Sequence, residues 1–144
     1  MKEYLTSGIT YEEHDHFLLI KYKKYKSIKE FFDSFENALK ICKKKNFSNL
    51  IIDIFNVDFN KISFTDKFDA SEKIAELFGN PSKVAVITPK IYHDNFSENV
   101  ASNRGAYIKG FHDINDSINW VKEKIFIFQN NLFSNTRKDL KKHN

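Results

Sequence analysis

The sequence predicts an α/β domain in which strands and helices follow the order β-β-α-β-α-β-α-β-α. The apolar run at 50–54, broken by Asp53, is too short for a helix and too apolar for a half-exposed strand, which indicates a central strand covered on both faces. KVAVIT at 83–88 indicates another short apolar strand. Other segments carry apolar residues every three or four positions, as amphipathic helices do. This alternation predicts a mostly parallel mixed sheet with right-handed crossovers, helices packed on it and an antiparallel N-terminal edge hairpin.

The N-terminal hairpin is predicted from strands 2–11 and 16–25, joined by a polar turn at 12–15. Apolar and charged side chains alternate along the later part of the second strand, which is typical of a half-buried strand. His14 and His16 lie in or beside the turn. Because no third ligand is near them in the sequence, no metal site is predicted there.

The first helix is predicted to begin at Ser27–Glu30, where a serine followed three residues later by a glutamate forms a capping box. Three lysines, 43–45, mark its end, where positive charge complements the helix dipole. Cys42 falls on the apolar face, so it is predicted to be a core residue rather than a reactive thiol. The full apolar face is Ile28, Phe31, Phe32, Phe35, Ala38, Leu39 and Cys42.

The central strand, 49–54, precedes a polar loop and a second helix that is predicted from Ser63 to Phe78. Loops at the carboxyl end of a buried strand are the usual place for function in open α/β sheets. The loop residues Asn56, Asp58 and Asn60 favour turns because their side chains bond local backbone. The predicted buried face of this helix is Phe64, Phe68, Ser71, Ile74, Ala75 and Phe78.

The last third of the chain continues the alternation. KVAVIT at 83–88 predicts a strand, and capping residues at 95–98 predict a short helix that ends near Arg104. A strand at 106–111 then leads to Asp113, which is predicted to cap the final helix.

The final helix carries its apolar residues with heptad spacing, at Ile114, Ile118, Val121, Ile125, Phe128 and Leu132. The first three turns are expected to pack on the sheet of the same molecule. The later residues Ile125, Phe128 and Leu132 project beyond it, and we expect them to form the seam of a homodimer.

Composition limits the classes of protein. The 144 residues predict a single domain over 1–133 and a polar, basic tail over 134–144. One cysteine excludes an internal disulfide and a cysteine-based zinc site. No stretch approaches the roughly twenty apolar residues of a membrane span. The polar N-terminal residues do not resemble a signal peptide, so a cytoplasmic location is expected.

The formal net charge of +4 is concentrated in basic clusters at 21–26, 43–45 and 137–142. Such clusters can follow the phosphates of a nucleic acid. No glycine-aromatic strand motif of the RNA-binding type accompanies them. The pattern therefore favours a solvated surface over a nucleic-acid interface.

The order of the predicted elements and three segments together resemble the STAS-like family. The segments are LIIDIFNVDF (50–59), KVAVIT (83–88) and IKGFHDINDSINWV (108–121). This family contains domains similar to the bacterial anti-sigma-factor antagonists and the cytoplasmic domains of sulfate transporters. ENVASNRG (98–105) is similar to a stand-alone, single-domain branch found in many bacteria. The resemblance covers roughly residues 3–125 and implies a STAS-like fold and a regulatory protein-interaction role.

In the antagonist branch, a partner kinase phosphorylates the first serine of an Asp-Ser-Ser motif after the central strand. Counted from Asp53, that motif falls on Lys61, Ile62 and Ser63, so only Ser63 remains, with Thr65 close behind. The resemblance implies that Ser63 or Thr65 is a candidate phosphoacceptor, because a helix N-terminus stabilises a phosphate. Both residues also suit plain helix capping, and that alternative stays open.

The predicted partner or ligand surface comprises Asp53, Asn56, Asp58, Phe64, His93, Asn95, Asn103 and Arg104. Ser63, His93 and Asp53 would suit a hydrolase, but no phosphate loop, nucleophile elbow or zinc motif accompanies them. No catalytic residue, metal or cofactor is therefore predicted.

Three functions remain as hypotheses. The sequence favours a non-catalytic, homodimeric module that binds a regulatory protein. The alternative is a binder of a small apolar or nucleotide-like ligand, in a hollow near Phe64 and Phe68 that the Phe-rich interior leaves open. A hydrolase-like enzyme ranks last.

Overall fold

The computed structural model describes residues 2–6, 8–79, 82–89 and 107–123. The described strands are β1 (Lys2–Thr6), β2 (Ile9–Glu13), β3 (Phe17–Tyr22), β4 (Asn49–Asp53), β5 (Lys83–Ile87) and β6 (Tyr107–Phe111). The described α-helices are α1 (Ile28–Lys45), α2 (Phe64–Leu77) and α3 (Ile114–Lys122), and a short 3₁₀ helix spans Phe59–Lys61.

All six described strands form one sheet, in which their order is that of the sequence, from β1 at one edge to β6 at the other. β2 is antiparallel to both β1 and β3. The pairs β3–β4, β4–β5 and β5–β6 are parallel. The predicted α/β fold, with a mostly parallel mixed sheet and an antiparallel N-terminal edge, is confirmed.

The N-terminal edge contains one more strand than the sequence predicted, because the single strand expected over 2–11 is wrong. Thr6 pairs with Ile9, so the chain reverses direction between them and forms a hairpin. Gly8 has a φ of +79°, a conformation that glycine adopts far more readily than other residues. A glycine within a strand pattern is a signal for such a break.

Helices cover both faces of the sheet. α1 and α2 pack on one face, and α3 packs on the opposite face against β4, β5 and β6. The central strand β4 contributes Leu50 and Ile52 to the first core and Ile51 to the second, and all three side chains are buried. The prediction of a central strand covered on both faces is confirmed.

Helix α1 has the predicted boundaries and, except for Phe32, the predicted core face. The Ser27 Oγ accepts a hydrogen bond from the Glu30 backbone N–H at 3.1 Å, and Asn46 ends the helix in the left-handed conformation. Cys42 is buried, and burial raises the pKa of its thiol to about 12. The thiol is therefore protonated at neutral pH, which agrees with its predicted role as a core residue.

Helix α3 begins as predicted but ends early. Asp113 occupies the N-cap position, although its side chain makes no capping hydrogen bond. Ile114, Ile118 and Val121 pack toward the sheet, which confirms the expectation for the first turns. Glu123 has an extended backbone, so the predicted continuous helix through Leu132 is wrong at this point. The predicted helix at 95–104 and the predicted dimer seam, Ile125, Phe128 and Leu132, lie outside the described residues.

A buried pair of hydroxyl groups joins β3 to α1. The Ser34 Oγ donates a hydrogen bond to the Phe31 carbonyl at 2.7 Å and receives one from the Tyr22 hydroxyl. We expect Ser34→Ala to lower the free energy of unfolding by about 2 kcal/mol, because it leaves the buried Tyr22 hydroxyl without a partner.

Urea unfolding of Ser34→Ala, Tyr22→Phe and the double variant tests this expectation. In the Tyr22→Phe background, Ser34→Ala should lower the free energy of unfolding by less than about 1 kcal/mol, since no orphaned hydroxyl remains. Equal effects of Ser34→Ala in the two backgrounds would contradict the assigned hydrogen bond.

Candidate functional site

The loop between β4 and α2, residues 54–63, crosses the carboxyl edge of the parallel strands. The Ile54 backbone N–H donates to the Ile87 carbonyl at 3.0 Å, and the Val57 N–H donates to the Ile54 carbonyl at 3.1 Å. The side chains of Ile54, Val57 and Ile62 are buried in the core beneath α1 and α2. The loop is therefore held at several points along its length, and the residues between them that are exposed are Phe55, Asn56, Asp58, Asn60 and Lys61.

The carboxylates of this loop bind its own backbone. Asp53 Oδ1 accepts a hydrogen bond from the Phe55 N–H at 3.0 Å, and Asp58 Oδ1 accepts one from the Asn60 N–H at 3.1 Å. These are local turns of the kind that the sequence predicted for this loop. Asn56, between them, is exposed.

The candidate phosphoacceptors lie at the N-terminus of α2. The Ser63 Oγ accepts a hydrogen bond from the Asp66 N–H at 3.0 Å, which makes Ser63 the N-cap residue as predicted. Ser63 and Thr65 are both exposed. The Tyr25 hydroxyl donates to Asp66 Oδ2, which ties the first turn of α2 to the connection between β3 and α1. Burial and, after it, the Asp66 carboxylate raise the pKa of Tyr25, so its hydroxyl remains a donor at neutral pH.

Two aromatic side chains of this region are exposed. Phe55 on the loop is 47% exposed, and Phe64, the first residue of α2, is 67% exposed. Among the described residues, Leu5 on β1 is the other large hydrophobic side chain that is exposed. The prediction that Phe64 lies on the buried face of α2 is wrong. Ile62 enters the core instead, and the buried residues of the helix begin at Ala70.

The order of the strands determines whether a ligand-binding crevice forms at this edge of the sheet. In open α/β sheets, ligands bind in a crevice at the point where the strand order reverses. The described strands β3, β4, β5 and β6 follow one another without reversal. Among the described strands, the β4–α2 loop therefore borders no point of reversal, and Phe55 and Phe64 are exposed there.

Two residues at the same edge were missed by the sequence analysis. The Thr88 N–H donates to the Phe111 carbonyl at 2.9 Å, and His112 Nδ1 donates to the Thr88 carbonyl at 3.1 Å. The Thr88 hydroxyl is buried, and no hydrogen-bond partner faces it in the described part of the chain. The predicted site residues His93, Asn95, Asn103 and Arg104 lie outside the described residues.

A groove lies at the other end of α1, between this helix and β2. α1 runs from the carboxyl edge of the parallel strands toward the amino edge, and Glu13, which is in register with Leu18 near the start of β3, lies at that amino edge. The groove has a volume of about 390 Å³ and is lined by Tyr11, Glu13, Asn37, Lys40, Ile41, Lys44 and Lys45. The sequence analysis assigned Lys44 and Lys45 to the helix terminus and to a solvated basic cluster, and it gave no role to Lys40.

His14, in the turn between β2 and β3, contacts two neighbouring side chains. His14 Nε2 lies 3.2 Å from Glu12 Oε1, and the His14 ring stacks on Phe17 with the ring centroids 4.7 Å apart. Within residues 2–6, 8–79, 82–89 and 107–123, no group of three metal-ligating side chains comes together.

In the part of the chain that the structure describes, no helix has both the length and the apolar character needed to cross a membrane.

Comparison with known proteins gives no assignment. No family model matches the chain, and a search of curated proteins finds no match to it. The STAS-like resemblance therefore rests on the sequence segments at 50–59, 83–88 and 108–121, and it stays a prediction.

Proposed function

We propose that this chain is a non-catalytic interaction module of the STAS-like type, which acts in bacterial regulation in the cytoplasm. It binds a protein partner through the β4–α2 loop and the first turn of α2. The observation that carries this proposal is the exposure of Phe55 and Phe64 on an anchored loop. Aromatic side chains dominate the binding energy of many protein interfaces, and a fixed backbone limits the entropy lost on binding.

The same surface contains the candidate switch residue. The exposed Ser63 hydroxyl is beside Phe64 and within hydrogen-bonding distance of the Asp66 N–H. A phosphate on Ser63 would be attracted by the N-terminus of α2 and repelled by the Asp66 carboxylate. Phosphorylation would therefore change the charge of the binding surface directly beside one of its two aromatic residues.

The geometry of the polar groups supports a binding role over a hydrolytic one. Asp53 Oδ1 and Ser63 Oγ both accept hydrogen bonds from backbone N–H groups of their own loop and helix. A nucleophilic serine also donates its proton to a base, and within the described residues the Ser63 hydroxyl makes no hydrogen bond to such a base. The third member of the hydrolase alternative, His93, lies outside the described residues.

The homodimer that the heptad pattern predicts is also part of the proposal. Analytical ultracentrifugation would measure the mass of the particle in solution and so test the dimer.

The test compares proteins retained by the wild-type chain with those retained by Phe55→Ser/Phe64→Ser in extracts of the native cells. Leu5→Ser is the control, since Leu5 is 69% exposed but lies on the edge strand β1. We expect a partner that wild type and control retain and the double variant loses. With the purified partner, the double variant should raise Kd by at least about a hundredfold, the loss expected when two interface aromatics are truncated.

Thermal unfolding of the variants provides the control for folding. Because both phenylalanines are exposed, Tm should stay close to that of the wild type. Retention of the same proteins by all three chains would reject this surface as the binding site. A glutamate at Ser63 that leaves the Kd for the purified partner unchanged would reject the switch.

A further inference from the structure

The groove between β2 and α1 has the dimensions of a small-molecule site. Its volume of about 390 Å³ falls within the range of roughly 300–1,000 Å³ found for ligand pockets. The apolar part of its lining comes mainly from Ile41, which is partly buried against the core, and from the small edge of Tyr11 that stays accessible, since Tyr11 is only 2% exposed. A flat apolar group could lie against Ile41 and this edge of Tyr11.

Polar groups are arranged around this apolar lining. Glu13 is only 8% exposed, and its Oε1 lies 3.7 Å from Lys45 Nζ, so its charge is balanced inside the groove. Asn37 also lines the groove, and its side-chain amide provides hydrogen-bond donors and an acceptor. Burial raises the pKa of Tyr11, so the hydroxyl does not add negative charge at neutral pH.

Two lysines provide positive charge that the groove does not balance. Lys40 and Lys44 are one helical turn apart on α1, so their side chains extend from the same face. Both are exposed, and neither forms an ion pair with a described residue. With Lys45 paired to Glu13, the groove has two cationic groups available for an anion.

The helix dipole accounts for part of the lysine cluster. It favours cations in the last turn, which contains Lys43, Lys44 and Lys45. Lys40 lies a turn earlier, and Lys43 does not line the groove. The dipole therefore does not explain why Lys40 and Lys44 border the same concave surface as Tyr11 and Ile41.

We propose that this groove binds a small organic anion with a flat apolar body, such as an aromatic phosphate. The body lies against Tyr11 and Ile41, and the anionic group lies between Lys40 and Lys44. The groove is at the opposite end of α1 from the β4–α2 loop, so this site is independent of the proposed partner surface.

Titrations of ¹⁵N-labelled protein followed by NMR test the site. Phenyl phosphate is the probe, phenol lacks the charge, and inorganic phosphate lacks the apolar body. We expect phenyl phosphate to shift the amide signals of Tyr11, Glu13, Ile41 and Lys44, and to bind more tightly than either fragment. Shifts confined to the β4–α2 loop, or inorganic phosphate binding as tightly as phenyl phosphate, would overturn the proposal.

Matched charge variants separate a defined site from general attraction of anions. Lys40→Gln/Lys44→Gln should raise the Kd of phenyl phosphate about tenfold, because two charge-assisted contacts are lost. Lys23→Gln/Lys24→Gln removes the same charge from two exposed lysines outside the groove, and its Kd should stay within about twofold of the wild type. Equal losses in the two double variants would also overturn the proposal.

Discussion

Lys83→Ala is expected to lower the free energy of unfolding by about 3 kcal/mol, the range for loss of a buried, hydrogen-bonded side chain. Lys83 begins β5 and is 3% exposed. Its Nζ donates to the Trp120 carbonyl at 2.8 Å and to the Glu123 carbonyl at 3.0 Å. The ammonium also lies 5.1 Å from the centroid of the Trp120 ring. Alanine would remove these contacts and leave a cavity.

The position of Lys83 explains why its effect is large. Its charge is placed at the C-terminus of α3, where the helix dipole favours a cation, although burial lowers the pKa of the ammonium. Asn49 completes the connection: its Oδ1 accepts from the Lys83 N–H at 3.0 Å, and its Nδ2 donates to the Val121 carbonyl at 2.9 Å. The two side chains together fasten the end of α3 to β4 and β5.

Urea unfolding measures the effect, with two comparison variants. Lys83→Met keeps the aliphatic stem and loses only the charged contacts, so it should be less destabilising than alanine. Lys109→Ala, on the neighbouring strand β6, changes an exposed lysine and should alter stability by less than about 1 kcal/mol. A Lys83→Ala variant as stable as Lys109→Ala would show that these contacts do not stabilise the fold.

Raising the pH from 8 to 10.5 is expected to lower the free energy of unfolding, with about 2 kcal/mol of the loss due to Cys42 alone. Burial raises the pKa of the Cys42 thiol to about 12 in the fold, from an ordinary value of 9.0. The unfolded chain therefore releases this proton first, and stability is lost as the pH rises above 9. Burial raises the pKa of Tyr11, Tyr22 and Tyr25 as well, so these residues act in the same direction.

Lys83 acts in the opposite direction. Its pKa is lowered in the fold, so the unfolded chain binds its proton more readily and stability from this group rises with pH below 10.5. The contribution of the thiol is obtained by comparing the pH dependence of the free energy of unfolding in wild type and in Cys42→Ala. A constant loss of packing in the variant does not change this pH dependence. The decrease in the free energy of unfolding between pH 8 and 10.5 should be about 2 kcal/mol smaller in the variant. Parallel profiles would show that the thiol does not titrate on unfolding.

The sequence predicted those parts of the fold that depend on local pattern. β4 and β5 have apolar runs, α1 has a complete capping box, and Ser63 has the spacing of an N-cap, and each lies where it was predicted. The errors arise where two local patterns compete. The three-four spacing of α2 allows Phe64 as its first core residue, but Ile62 before the helix fills that place.

Of the candidate sites, the carboxyl-edge loop was predictable and the groove was not. Asp53 and Ser63 lie at that edge because the parallel topology requires it. The groove depends on a tertiary contact between β2 and α1, and no local sequence motif predicts that contact. Lys83 was likewise read as an ordinary first residue of a strand, because its carbonyl partner on Trp120 is 37 positions away in the sequence.

The strand order of the sheet has a consequence for synthesis of the chain. Each described strand pairs with the strand that precedes it in the sequence, from β1 to β6. When a strand leaves the ribosome, its pairing partner is therefore already present, and the sheet can grow from its N-terminal edge in the order of translation. None of the described strands has to wait for a later one to be inserted between it and its neighbour. The antiparallel pairs β1–β2 and β2–β3 join residues that are close in the sequence, so they can form before the parallel pairs, which close longer loops.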